Sequence, residues 1–157
     1  MADDSLDFAL TAWREDGTWR LTRLPADATE DIGVVLDALR AQQVDGGAIA
    51  MLVVQDAFFI TVRQIGERMQ MALSDVMAAL DYEIAAEVLE LLDIEFPESD
   101  DVEEPAGDLN LFADLGLDAM ELQAICDDME MYPDEQLEAI ARRIGFGDAF
   151  MEFIDSL

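Results

Sequence analysis

Residues 48–54 read Ala-Ile-Ala-Met-Leu-Val-Val, an apolar run with no polar break. It is too short to cross a membrane and has the length of a strand. A strand apolar on both sides belongs at the centre of a sheet, buried on both faces. Two more strand-length runs follow at once. Residues 57–64 alternate Phe58, Ile60 and Val62 against Phe59, Thr61 and Arg63, and residues 67–74 alternate Met69, Met71 and Leu73 against Arg68, Gln70 and Ala72. The breaks at Gln55-Asp56 and Gly66 are too short for a crossover, so the three strands must be antiparallel neighbours.

The N-terminal segment alternates as well. Leu6, Phe8, Leu10 and Ala12 fall on one face, with Asp7, Ala9, Thr11 and Trp13 on the other. Asp16-Gly17 suits a tight hairpin turn because both residues tolerate positive φ, and residues 18–24 return from it as a second strand. Trp13 and Trp19 flank this turn and are expected to pair across it as ordinary hairpin core. Pro25 ends the strand. A helix is expected over residues 30–42, with Ile32, Val35, Leu36 and Leu39 at helical spacing and Gly46-Gly47 beyond its end. After the third central strand, Asp75 reads as the N-cap of a short helix to Leu80, and residues 82–92 form another on Ile84, Val88, Leu91 and Leu92. The order ββαβββα predicts an α+β fold: a five-stranded antiparallel sheet with helices covering one face.

Residues 95–107 contain six acids, two prolines (Pro97 and Pro105) and no base. Self-repulsion and proline stiffness predict an extended acidic linker. Beyond it the sequence is helical over residues 109–115, 118–129, 134–144 and 148–154, punctuated by Gly116, Pro133 and Gly145 to Gly147. The expected organisation is a sheet domain over 1–94, a linker over 95–107 and a small all-helical C-terminal segment over 108–157. So few residues make a marginal core, so the segment is expected to pack on the first domain or on a partner.

Charge narrows the function. The chain carries 37 acidic and 8 basic residues, a net charge of -29, and every basic residue is arginine. Residues 95–157 hold 19 acids and two arginines, -17 of that total. A field of this sign repels phosphate backbones and anionic lipid surfaces, so direct nucleic-acid and membrane binding are not expected. The same acidity serves solubility alone as readily as it serves a partner. The acidic start Met1-Ala2-Asp3-Asp4 is unlike a signal or transit peptide, and one cysteine, Cys126, allows no intrachain disulfide; a cytoplasmic protein is expected.

The residues for common chemistries are missing. The chain has no histidine, so the usual general base and metal ligand are absent, and a single cysteine cannot build a zinc site. Ser5, Ser74, Ser99 and Ser156 stand in no nucleophile-elbow setting. Asp100-Asp101 and Asp127-Asp128 read as solvated faces, and no calcium-loop pattern occurs. No cofactor or metal is expected, and the chain is read as a non-enzyme. The stretch from Phe112 to Leu122 resembles the carrier segment of acyl carrier proteins, but Ala119 occupies the place of the serine that holds the phosphopantetheine arm. An N-cap role for Asp118 explains the likeness.

Several motifs taken together carry a further resemblance. They are Phe8-Ala9-Leu10 with Ala12-Trp13-Arg14-Glu15-Asp16-Gly17, Leu73-Ser74-Asp75 with Ala78-Ala79-Leu80-Asp81, and Ala106-Gly107-Asp108-Leu109. Ala113-Asp114-Leu115-Gly116-Leu117, Tyr132-Pro133-Asp134-Glu135 and the stretch from Ala139 to Phe150 complete the set. Together they resemble the actinobacterial tRNA adenosine deaminase-associated protein family over essentially the whole chain. The family label rests on gene association, so the resemblance implies a partner or pathway and no activity. The zinc-binding pattern of the deaminase itself is absent. The resemblance implies a non-catalytic acidic accessory that binds or acts alongside the tRNA adenosine deaminase. The alternative is a self-associating interaction protein, a homodimer through a sheet edge, with no physical link to that enzyme. Arg142, Arg143, Phe146 and Phe150 are the candidate partner contact, a basic pair beside two aromatics in an acidic segment. Their structural reading is a helix C-terminus neutralised by arginines above two core phenylalanines.

Overall fold

The computed structural model describes residues 7–42 and 46–157, so Leu6 and the acidic start Met1-Ala2-Asp3-Asp4 lie outside the described residues. The strands are β1 (Phe8–Glu15), β2 (Thr18–Arg23), β3 (Ala48–Val54), β4 (Phe58–Ile65), β5 (Arg68–Leu73) and β6 (Ala106–Gly107), and every pairing is antiparallel in the order β2-β1-β3-β4-β5-β6. The helices are α1 (Ile32–Ala41), α2 (Glu83–Leu91), α3 (Ala119–Asp127), α4 (Pro133–Ile144) and α5 (Gly147–Asp155). Shorter 3-10 turns cover Ala26–Thr29, Val76–Leu80 and Ala113–Leu115.

The α+β class and the antiparallel sheet agree with the sequence, but the sheet has six strands and not five. The extra strand comes from the far end of the acidic segment, where Ala106 and Gly107 pair with Leu73 and Ala72. Two residues are too few to show an alternating pattern, which is why the segment read as tether throughout. Backbone geometry makes the pairing possible. Gly107 has φ +107, and a Cβ there would run into the Met71 carbonyl. The Asp108 amide then donates to Met71 O at 2.8 Å, and the Val76 amide to Glu104 O at 2.8 Å.

Helices cover both faces of the sheet, not one. Ala9, Ala50, Leu52, Ile60, Val62 and Leu73 meet Val35 and Leu39 of α1 and Ile84 and Val88 of α2. On the opposite face Phe8, Leu10, Ile49, Met51, Val53 and Phe59 meet Leu122 of α3, Leu137, Ile140 and Ile144 of α4, and Phe150 of α5. Each large side chain so buried contributes about 1.5–3 kcal/mol. β3 is buried at every residue, as its uninterrupted apolar composition requires.

Aspartates open several of these elements, Asp75 and Asp118 as expected and Asp31 in addition. Asp31 caps α1 through a 2.9 Å bond from the Gly33 amide, and Asp75 caps its 3-10 turn through a 2.9 Å bond from the Met77 amide. The carrier-like stretch opens α3, with the Asp118 carboxylate accepting from the Glu121 amide at 2.8 Å. Residues 109–115, expected as helix, are mostly turn, with a single 3-10 turn at Ala113–Leu115. The tryptophans do not pair. The two-residue turn sets Glu15 opposite Thr18, which places Trp13 opposite Arg20 and Trp19 opposite Arg14. Trp13 therefore faces the α1–α2 side and Trp19 the α3–α5 side.

Candidate functional site

The strand register puts the β1–β2 turn (Asp16, Gly17), the start of β3 and the β4–β5 turn at one end of the sheet. The β3–β4 turn and the end of β5 lie at the other. The two ends differ in charge. Arg14, Arg20 and Arg68 stand at the first, mixed with Glu15, Asp16 and Glu67. The second end holds a groove of about 350 Å³ whose charged lining residues are all acidic.

Four chain segments build this groove. Ala57 comes from the β3–β4 turn, Ser74 and Asp75 from the end of β5, and Glu103 and Glu104 from the segment that leads into β6. Cys126 and Asp127 come from the end of α3, Asp128, Met129 and Met131 from its connection to α4, and Pro133 and Gln136 from the start of α4. Asp75, Glu103, Glu104, Asp127 and Asp128 are carboxylates, and no lining residue is a cation. Asp56 and Asp134 stand nearby with Glu135. Burial, reinforced by Glu103, raises the Asp75 carboxyl above the ordinary range against the Met77 amide bond. Burial followed by the charges of Asp56 and Glu135 raises Asp134, and burial with Glu135 raises Asp56. Burial first, and neighbouring negative charge after it, disfavours the charged forms of these carboxyls.

The lining is not wholly polar. Met129 is 79% exposed beside Met131, while Gln136 and Ser74 are buried at 6% and 8%. Burial and the adjacent Asp127 push the Cys126 thiol up to about 12, so it is protonated and unreactive at neutral pH. Among the described residues, no group of three or more Cys, Asp or Glu is placed to hold a metal ion.

The four residues singled out in the sequence lie elsewhere, at the α4–α5 turn. Arg142 and Phe146 line a shallow hollow of about 540 Å³ with Gly17, Thr18, Trp19, Gly145 and Asp148. Phe146 and Phe150 are 2% and 1% exposed. Phe146 packs on Trp19 with ring centroids 4.7 Å apart, and Phe150 meets Phe8 edge-on at 6.2 Å. Arg142 bonds Glu138 at 2.7 Å and reaches Asp148 at 3.9 Å. Arg143 points to α3, where Glu121 receives its Nε at 2.8 Å and its Nη2 at 3.3 Å. The phenylalanines are thus core, and the two arginines are half-exposed and engaged with neighbouring acids.

The groove was missed in the sequence because its acids come from segments far apart in the chain. The signal available was the string Cys126-Asp127-Asp128-Met129-Glu130-Met131, acids interleaved with methionines ahead of Pro133. It read as a solvated face.

The comparisons with known proteins bear on this geometry. A family model described as Rv3753c-like tRNA adenosine deaminase-associated protein matches residues 7–147. Protein Rv3753c of Mycobacterium tuberculosis is 40% identical over 159 residues, covering 99% of this chain and 92% of that one. No solved structure matches. The chain belongs to the Rv3753c-like tRNA adenosine deaminase-associated protein family.

Proposed function

We propose that this member of the deaminase-associated family is a non-catalytic, acidic accessory protein that binds the tRNA adenosine deaminase. The observation that carries the reading is the groove at one end of the sheet, with five carboxylates and no cation in its lining. An enzyme that handles tRNA needs positive surface to hold phosphates. An acidic protein complementary to such a surface is steered to it and disfavours partners of its own sign. Binding there would modulate, stabilise or sequester the enzyme. The reading also draws on the family's description, which names association and not deamination.

The half-exposed arginines Arg142 and Arg143 are kept as candidate contacts at the α4–α5 turn, away from the groove. Phe146 and Phe150 would support them from below, because their rings are committed to the core. The alternative of a homodimer through a sheet edge has less in its favour. The edge strand β2 carries Arg20 and Arg23, charges of the kind that discourage edge-to-edge pairing. β6 offers only two residues.

The test is co-purification of the tagged protein with the deaminase at about 0.15 M salt. A stoichiometric complex that weakens as salt rises is expected. Absence of any complex at that ionic strength would sink the reading.

A further inference from the structure

β2 leaves half of its backbone hydrogen-bonding groups unused. The two-residue turn at Asp16 and Gly17, with φ +52 and +79, makes Glu15 and Thr18 a hydrogen-bonded pair. By alternation the next such pairs are Trp13 with Arg20 and Thr11 with Thr22. The bond from the Leu24 amide to Ala9 O at 2.9 Å continues the series. The amides and carbonyls of Trp19, Leu21 and Arg23 therefore point away from β1, out of the sheet. No strand pairs with that side of β2 among the described residues, and none of its six residues is buried. Three donors and three acceptors at strand spacing are what an added strand requires.

The charge of this edge runs against that of the chain. β2 carries Arg20, Arg23 and no acid, in a protein of net charge -29. Arg14 of β1 lies over the Trp19 ring at 5.7 Å, on the same side of the sheet as Arg23. Arg23 has no ion-pair partner among the described residues. Arg20 meets Glu15 at 3.5 Å, with both side chains more than half exposed, and so loose a pair yields readily to another carboxylate. A second copy of β2 would bring the same arginines and no acid. At physiological salt, charges beyond about 8 Å are largely screened, so the local arginines decide what the edge accepts.

We propose that β2 is a docking edge for an extended segment of a partner protein, which adds to the sheet as a further strand and sets carboxylates opposite Arg20 and Arg23. The residue opposite Leu21 is apolar, because Leu21 and Trp19 share their face with the α3–α5 core. A segment running antiparallel to β2 therefore reads acid, any residue, apolar, acid. The occupant is a protein strand because a nucleic acid brings phosphates but no alternating amides to meet the three carbonyls. The inference is independent of the deaminase reading, which rests on the acidic groove.

The experiment follows the backbone amides of the full chain by NMR while a capped peptide, glutamate-threonine-valine-glutamate-valine-threonine, is added to millimolar concentration. The Trp19, Leu21 and Arg23 amides are expected to shift together and, at saturation, to exchange with solvent at least about tenfold more slowly. The peptide with glutamine for glutamate should bind at least about tenfold more weakly. The peptide N-methylated at its first, third and fifth residues, which cannot donate to β2, should not bind. Arg20→Gln/Arg23→Gln, on exposed side chains, should weaken the peptide about tenfold. Arg40→Gln/Arg68→Gln, an equal charge change away from β2, should leave it within about twofold. Leu21→Pro removes only an outward amide and should abolish binding with the amide spectrum of β3 and β4 retained. No shift at β2, equal binding of the glutamine or N-methylated peptide, or equal loss in both charge variants would overturn the proposal. So would β2 shifts that depend on protein concentration without peptide, which mean a second copy, or tighter binding of a uridine oligonucleotide at the same amides.

Discussion

The Arg63 guanidinium on β4 holds Asp114 in a two-pronged ion pair, with Nη2 3.0 Å from Oδ2 and Nη1 directed at Oδ1. Nη1 also donates to the Leu111 carbonyl at 2.9 Å. The arginine side chain is 4% exposed, whereas that of Asp114 is 63% exposed. One charged residue in the middle of a sheet face thereby latches the start of the C-terminal segment onto β4.

Removing one end of this latch should not equal removing the other. Asp114→Ala leaves a buried guanidinium without its counter-charge and should cost about 1–3 kcal/mol. That is less than the about 3–5 kcal/mol of a fully buried pair, because water reaches the aspartate side. Arg63→Met fills the site with apolar volume and should cost less. Urea denaturation of both variants checks the order, and a larger loss in Arg63→Met would contradict it.

Acid dependence should show two opposite limbs. Asp75, Asp134 and Asp56 are raised, chiefly by burial, so the native state favours their protonation. Stability should therefore increase as pH falls from neutral through those raised values towards the unfolded value near 3.8. Asp114 is lowered, first by the hydrogen bond from Arg63, so its contribution is complete above 3.8 and lost as pH falls below it. Calorimetry across this range should find maximal stability on the acid side of neutrality, with a flatter rise in Asp134→Asn and a flatter acid loss in Arg63→Met. A midpoint that falls monotonically from neutral pH would contradict this.

Salt should stabilise the fold. At a net charge of -29 the compact state suffers self-repulsion that the expanded chain relieves. Raising sodium chloride from about 0.01 to 0.5 M shortens the screening length from about 30 Å to a few ångströms and should raise the thermal midpoint. An unchanged midpoint would mean that the charges are already balanced locally.

Gly107→Ala should strip β6 from the sheet. The residue needs φ +107, and its Cβ would meet the Met71 carbonyl, so a cost of about 1–3 kcal/mol is expected. Hydrogen exchange should report faster loss at Asp108, whose amide bonds Met71 O, while β3 and β4 amides keep their protection. Uniform loss across the sheet would show that β6 is integral to the fold's cooperativity and not an appended edge.

Phe150 on α5 and Arg142 on α4 should separate core from surface. Phe150→Ala empties a site 1% exposed and should cost about 3–5 kcal/mol. Arg142→Ala, on the solvent side, should leave the denaturation midpoint unchanged. A chain ending at residue 107 should expose Phe8, Leu10, Met51 and Phe59 and aggregate. A soluble, cooperatively folding fragment would instead place an independent domain boundary at the acidic segment.

The sequence alone determined what short-range physics controls. Alternation in residues 57–74 defined two strands, Asp16-Gly17 and Gly66 defined tight turns, and Asp75 and Asp118 marked where helical turns begin. Missing histidine and lone Cys126 bounded the chemistry in the same way. Each of these depends on neighbours a few residues away. Tertiary structure decided the rest. The C-terminal helices closed the second face of the sheet because Phe8, Leu10 and Met51 needed apolar cover, and nothing local states which segment provides it. Ala106 and Gly107 became a strand only because β5 offered an unpaired edge. Arg63, a polar position in an alternating strand, was buried because Asp114 and the Leu111 carbonyl came to meet it. The acids of residues 75, 103–104 and 127–128 likewise became one groove only when distant segments converged, and charge proximity in space is a property no linear pattern encodes.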